Sequence, residues 1–202
     1  NVIPSVKLQT KRRNSQKKAG KQMKVLGIIG SVFGSKTRIS MQNLHFSEDV
    51  VFETVDLSET TLAFSDGRDF RDYDEVTKNV VQKILDADAL VLASPIYNAS
   101  IPGALKNVLD LLPIDSIKDK VVGIIVTAGS DKHYLVAQYH LMPVLDYMKA
   151  SVLTKYVFIE ENSFINGQLE DDDVYFRLKA LARNIEEEVV QVKAALEARY
   201  DF

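Results

Sequence analysis

The apolar residues of this chain fall into five short continuous runs, separated by longer stretches in which they recur every three or four positions. The runs are residues 24–29 (KVLGII), 50–56 (VVFETVD), 87–93, 120–127 (KVVGIIVT) and, with looser limits, 151–159. Short apolar runs bounded by glycine, serine or charged residues read as strands buried on both faces. Between them, residues 73–86 place Val76, Val80, Val81, Ile84 and Leu85 at helical spacing. A short helical segment to about residue 46 follows the first run, and another spans 102–112 from Pro102. A long one covers 133–149, where Pro143 should kink or break it. A last helix opens at Asp171, Asp172 and Asp173, acidic where the helix dipole favours it, and reaches about Arg199. Asn166-Gly167, inside 164–169, marks a turn or short hairpin.

Strands alternating with helices predict a parallel sheet covered on both faces. Five such strands favour the flavodoxin-like order 2-1-3-4-5, a three-layer α/β sandwich. In that order the loops after strands one, three and four meet at one edge, where open α/β sheets bind their ligands. The loop after strand three, ASPIYNASIPG from Ala93, carries a tyrosine among small and polar residues and enters a helix at Pro102. The first loop, from Gly30 to Arg38, combines two glycines with Ser31, Ser35, Thr37, Lys36 and Arg38, which suits a phosphate monoester. It has neither the Walker ending nor a GxGxxG pattern, so a solvated turn with a helix cap remains the alternative. The fourth loop, Ala128-Gly129-Ser130-Asp131, lets backbone approach a planar ligand. The connection 57–71, with Phe64, Asp66, Gly67, Arg68 and Phe70, either covers a site or joins a subunit contact.

Composition narrows the chemistry. With 202 residues, 46% hydrophobic and 26% charged, the chain suits one globular domain. It has no cysteine, so thiolate metal sites and cysteine nucleophiles are excluded. Three dispersed histidines, His45, His133 and His140, make a metal site unexpected. No apolar run approaches a membrane span of about 18 residues, and no signal-peptide core is present, so a cytoplasmic protein is expected. Charge is uneven: Lys7, Lys11, Arg12, Arg13, Lys17, Lys18 and Lys21 stand in residues 1–22 without an acid. Setting these seven aside leaves 18 basic against 28 acidic residues, a net charge of −10. Nucleic-acid binding by the folded domain, taken as 23–202, is therefore not expected. Residues 1–22 read as a basic disordered tail or leader before a start at Met23. An arm for nucleic acid or anionic membrane, or a targeting segment, is the alternative.

A phosphate seat on the first loop and a planar slot between the third and fourth suggest flavin mononucleotide. Pro95 to Asn107, PIYNASIPGALKN, resembles the P-x-Y-N-x-S-x-P-G-x-L-K-N signature of the NAD(P)H-dependent FMN reductase family. Gly30-Ser31 with Ser35 and Thr37 is similar to that family's phosphate loop, and the likeness runs from about residue 24 to 159. Residues 129–150 most resemble the sulfonate-utilisation reductases and their azoreductase relatives. The resemblance implies FMN and NADPH (or NADH) as cofactors, with hydride passing to the flavin and electrons onward to a small-molecule flavin, quinone or azo acceptor. The flavin carries that chemistry, so no catalytic side chain is required. It also implies that Ser31, Ser35, Lys36 and Thr37 hold the phosphate. Pro95, Ile96, Tyr97 and Asn98 would hold the ring, with Ser100 nearby and Ala128, Gly129 and Ser130 at its polar edge.

The alternatives at single positions are Tyr97 as a core aromatic, Ser100 as a helix cap, and Lys106 and Asn107 as structural or subunit-contact residues. Arg38 faces solvent or ligand, and so does His133. One departure concerns the phosphate: Val32, Phe33 and Gly34 stand where many members carry an arginine, leaving Lys36 as the positive charge. Apolar faces at Leu105, Val108, Leu109, Leu112 and at Leu135, Leu141, Val144, Leu145, Met148 exceed what one sheet face should hide. This surplus and the resemblance together imply a homodimer or a tetramer. A flavodoxin-like electron carrier and a non-catalytic protein that kept the fold are the competing functions.

Overall fold

The computed structural model describes residues 22–200, so the basic stretch at the start lies, apart from Gln22, outside the described residues. Four long parallel strands form the sheet: β1 (Met23–Ile29), β2 (Val50–Asp56), β3 (Ala89–Pro95) and β4 (Val121–Ala128). Their order is β2-β1-β3-β4, and the far edge is closed by β5 (Ser151–Val152) and β6 (Val157–Glu160), both parallel to β4. The expected 2-1-3-4-5 order is present, with its fifth strand in two pieces. Val152 pairs with Val122 and Val157 with Ile125, so four residues, 153–156, stand opposite only two, Gly123 and Ile124. The two extra residues interrupt the ladder as a bulge does at a sheet edge.

Alternation along the strands sorts the core into two layers. Leu26, Ile28, Leu90, Leu92 and Ile124 face α2 (Glu75–Asp86), α3 (Gly103–Asp110) and α4 (Met142–Tyr147). Val25, Ala89, Val91, Ala93 and Ile125 face α1 (Lys36–Gln42) and α5 (Asp172–Tyr200). A Cβ on Gly123 would lie 2.7 Å from Ile185 Cδ1, so glycine there admits α5 to the sheet. Each fully buried aliphatic side chain in these layers contributes about 1.5–3 kcal/mol.

Residues 131–149 are not one helix. A 3₁₀ turn (Asp131–His133) precedes a π-helical turn (Ala137–Leu141), and only Met142–Tyr147 is α-helical, with Pro143 in its first turn. Pro143 has no N–H to give the preceding turn, and a wider turn there followed by a fresh helix start accommodates it. The expected hairpin is β7 (Phe164–Ile165) against β8 (Gln168–Leu169), with Asn166 at φ 51° and Gly167 at φ 78°. Both central residues are left-handed, as a two-residue primed turn requires.

The connection 57–71 is tied to α3. Asn107 Oδ1 accepts from Ser65 N at 2.8 Å, and its Nδ2 donates to Ala63 O at 2.9 Å. Asn107 is thus structural. The apolar positions of α3 and α4 are mostly spent inside the chain: Leu105, Val108, Leu109, Leu141 and Leu145 are buried. The expected surplus shrinks to a groove between the two helices, where Leu112, Ile114, Val144, Tyr147 and Met148 remain.

Candidate functional site

The turns leaving β1, β3 and β4 enclose a cleft of about 370 Å³. Backbone sterics set its frame. Gly30 N donates to Ala93 O at 2.7 Å, and a Cβ at Gly30 would stand 2.9 Å from that oxygen, so the first and third loops can meet only at glycine. Ile96 N donates to Thr127 O at 3.0 Å, joining the third loop to the fourth. Thr37 and Thr127 share a buried hydroxyl bond of 2.7 Å, joining the first to the fourth. One hydroxyl donates in that bond, and the other keeps a hydrogen for a third partner.

Tyr97 sits in a tight turn. Its N–H and carbonyl exchange bonds with those of Ser100 at 2.9 and 3.0 Å, and the two central residues, Asn98 and Ala99, have φ of 49° and 59°. Asparagine accepts this left-handed geometry readily, whereas alanine adopts it at a cost of about 1–2 kcal/mol. Such strain persists where surrounding contacts dictate it. Here the contacts are plain: the Tyr97 hydroxyl donates to Phe33 O at 3.0 Å, and the two rings stack at 4.6 Å between centroids and 3° between planes. Burial pushes the pKa of the Tyr97 phenol up. On the far side of the turn, Ser100 Oγ lies 3.0 Å from Nδ1 of His140 in the π-helical turn.

Of the residues expected from sequence, Ser35, Lys36, Thr37, Pro95, Ile96, Tyr97, Ala128 and Gly129 line this cleft together. Ser31, Asn98, Ser100 and Ser130 are not on its wall. Ser31, in the first loop, is buried. Asn98 and Ser100 shape the turn that carries Tyr97, and Ser130 accepts from Lys132 N at 3.2 Å as the cap of the following turn. Arg38 points to the end of β2, where it meets Asp56 at 2.6 Å, Ser58 at 2.7 Å and Glu59 at 2.9 Å.

Four participants were missed in sequence. Phe33, Gly34 and Thr127 line the cleft, and Glu161, from the turn after β6, pairs with Lys36. Thr127 was discoverable as the polar end of an otherwise apolar strand. Glu161 carried no signal, because the pairing joins residues 125 positions apart. Chemically, the cleft offers hydroxyl donors and one ammonium at the first loop. Its wall also holds Pro95, Ile96 and Tyr97 from the third loop and the small residues Ala128 and Gly129 from the fourth. Among the described residues, no group of three or more His, Asp and Glu is arranged to hold a metal ion.

The chain is similar to known proteins in sequence and in fold. The chain is 33% identical over 166 residues to an NAD(P)H-dependent FAD/FMN reductase of Geobacillus thermodenitrificans, spanning 79% of this chain and 90% of the relative. It is 41% identical over 115 residues to an FMN-dependent NADPH-azoreductase of Staphylococcus saprophyticus, spanning 53% of this chain and 61% of that one. It is 38% identical over 89 residues to an FMN reductase (NADPH) of Escherichia coli, covering 44% and 47%. Among solved structures, an oxidoreductase of Corynebacterium diphtheriae superposes with a TM-score of 0.69 at 25% identity, covering 85% of this chain and 99% of that one. The apo form of an NADH:FMN oxidoreductase shares the fold, with a TM-score of 0.66 at 24% identity, covering 84% and 89%. The family of NADPH-dependent FMN reductases matches residues 23–164, the stretch that holds all three loops and the whole sheet. This chain belongs to the NADPH-dependent FMN reductase family.

Proposed function

We propose that the cleft holds FMN and that the protein is an NAD(P)H-dependent FMN reductase passing electrons to a small-molecule flavin, quinone or azo acceptor. The observation that carries this reading is the cross-linking of three loops into one cleft, with hydroxyls and an ammonium on the first loop and the small residues Ala128 and Gly129 on the fourth. Its volume, about 370 Å³, lies in the range of small-molecule sites. The donor set fits the group. Ser35, Lys36 and Thr37 would receive the phosphate, Pro95, Ile96 and Tyr97 would flank the ring, and Ala128 and Gly129 would leave room for backbone approach. Ser31, Asn98, Ser100 and Ser130 would hold those loops in place from behind.

When bound, the flavin supplies the two-electron chemistry, accepting hydride from the reduced nicotinamide and delivering electrons to the acceptor. The protein's part is to bind and orient. The Thr37–Thr127 bond and the stack of Tyr97 on Phe33 fix the two ends of the cleft before a ligand arrives, which lowers the ordering cost of binding. No side chain is required to move a proton in hydride transfer itself.

The groove between α3 and α4, about 760 Å³, supports a homodimer or a tetramer built from it. Ile114 and Tyr147 are 95% and 87% exposed beside it, a cost that a second copy would remove. Light scattering at micromolar concentration is expected to give a multiple of the chain mass; a monomer would contradict the assembly. Among the described residues no helix is long and apolar enough to cross a membrane. We place the enzyme in the cytoplasm, where the reduced nicotinamide pool lies; recovery in a membrane pellet would contradict this. The activity is tested by the visible spectrum of the purified protein and by NADPH and NADH oxidation with FMN, a quinone and an azo dye in turn. Flavin absorbance and acceptor-dependent oxidation are expected. A colourless protein inert with added FMN would refute the proposal.

A further inference from the structure

We propose that Glu161 is a counter-charge at the phosphate end of the cleft, one that weakens the hold on the phosphate of FMN and narrows the preference for FMN over riboflavin. This inference rests on the assignment of the cleft to FMN. Lys36 is the one cationic side chain among the residues lining the cleft, and no acidic side chain lies among them. The next positive charge, Arg38, is engaged by Asp56 and Glu59 at the end of β2. Glu161 reaches in from outside the wall and forms an ion pair with Lys36. It also reaches across to the fourth loop: its Oε2 lies 3.6 Å from where a Cβ on Gly129 would be. The carboxylate therefore stands at the rim between the two loops, and the charge that should meet an arriving phosphate is already neutralised.

The exposure of the pair decides how this works. The Lys36 side chain is 41% exposed and that of Glu161 63%, so the pair is wet and exchangeable and is no buried lock. A phosphate can share Lys36, but Glu161 then remains beside a dianion. A unit charge about 8 Å from a dianion in a water-like medium alters binding by roughly threefold to sixfold, and less as salt screens it. Riboflavin has the same ring and no phosphate, and does not meet this repulsion. Glu161 is thus a specificity-determining residue that favours exchange of FMN over permanent retention.

The test is equilibrium titration of the full chain with FMN and with riboflavin, read by flavin fluorescence, for the wild type, Glu161→Gln and Lys36→Gln. Glu161→Gln should tighten FMN by roughly threefold to sixfold and leave riboflavin within about twofold, and the gain should shrink as salt is raised. Lys36→Gln should weaken FMN and leave riboflavin in place. Glu161→Ala removes the carboxylate by a different route and must move the FMN-to-riboflavin ratio the same way. An unchanged ratio in both Glu161 variants overturns the inference while the flavin site stands. Loss of both flavins in those variants also overturns it, by placing Glu161 on the ring. A wild type that binds neither flavin overturns the flavin site and this inference together.

Discussion

The two longest helical stretches of the chain are built on opposite terms. α5 runs unbroken for 29 residues, and its start is fixed by one carboxylate. Asp171 accepts from Asp173 N at 3.0 Å, Val174 N at 3.2 Å and Ser163 Oγ at 2.7 Å. Its buried side, with Leu178 and Ile185 fully enclosed, lies over Gly123 and the small residues of the sheet. Residues 131–147 have a comparable share of apolar positions, yet they form a 3₁₀ turn, a π-helical turn and six residues of α-helix. That segment is held by three side-chain bonds: the Ser130 cap just before it, the Ser100–His140 contact, and the Tyr156 hydroxyl donating to Tyr134 O at 2.6 Å. α5 carries side-chain ties as well, from Glu186 to Ser47, from Arg177 to Phe158 O and from Lys193 to Asp88, yet stays regular. The broken segment differs in starting two residues after the cleft-lining Gly129 and in holding Pro143, which cannot continue the ladder of the turn before it.

If α5 is a pure packing element, truncation there should cost stability and nothing else. Ile185→Ala is expected to destabilise by about 2–5 kcal/mol in urea unfolding, with the flavin affinity of the folded fraction unchanged. A large change in flavin affinity at full folding would erase the distinction between the two segments. Gly123→Ala tests the same contact from the sheet side. The added Cβ meets Ile185 at 2.7 Å, and overpacking of this kind costs about 1–3 kcal/mol.

Asp171→Ala should cost about 1 kcal/mol through loss of the cap. Its pH dependence has a definite sign. The Ser163 hydroxyl bond, followed by the amide bonds of the helix start, holds the Asp171 carboxyl below its ordinary value. Its contribution is therefore complete above the ordinary aspartate range, near pH 4, and is lost as pH falls through the lower folded value. In the variant the acid limb of the stability curve should flatten; an unchanged limb would remove Asp171 from that role. The smallest effect is expected in the broken segment, where Pro143 already sits in a first helical turn and needs no partner for a missing N–H. Pro143→Ala should change stability by less than about 1 kcal/mol. A loss above about 2 kcal/mol would show that the break is itself a stability element.

Much of this fold was legible in advance, for reasons particular residues show. β2 was read to its ends because Glu48 and Asp49 precede Val50 and the apolar run closes on Asp56 itself. The hairpin was legible because Asn166-Gly167 accepts the left-handed φ that a two-residue primed turn demands and most residues avoid. Strand order and loop convergence followed from the alternation of strand and helix. The split of the fifth strand was not legible, since 151–159 is apolar at the same period on both sides of the bulge. In the site, motif residues of two loops were legible because glycine, hydroxyl and tyrosine positions in strand-end loops carry local signals. The partners of polar groups were not. Asn107 clasping the 57–71 connection, Thr127 meeting Thr37 and Glu161 meeting Lys36 are all decided by tertiary placement, which periodicity does not report.

The claim that most depends on this geometry is that the loops after β1, β3 and β4 form the flavin site. A crystal structure of the protein grown with FMN tests it directly. The account predicts phosphate at Ser35, Lys36 and Thr37, with the ring between the Pro95–Tyr97 turn and Ala128–Gly129. Flavin bound in the groove between α3 and α4, with the three-loop cleft holding only solvent, would contradict it.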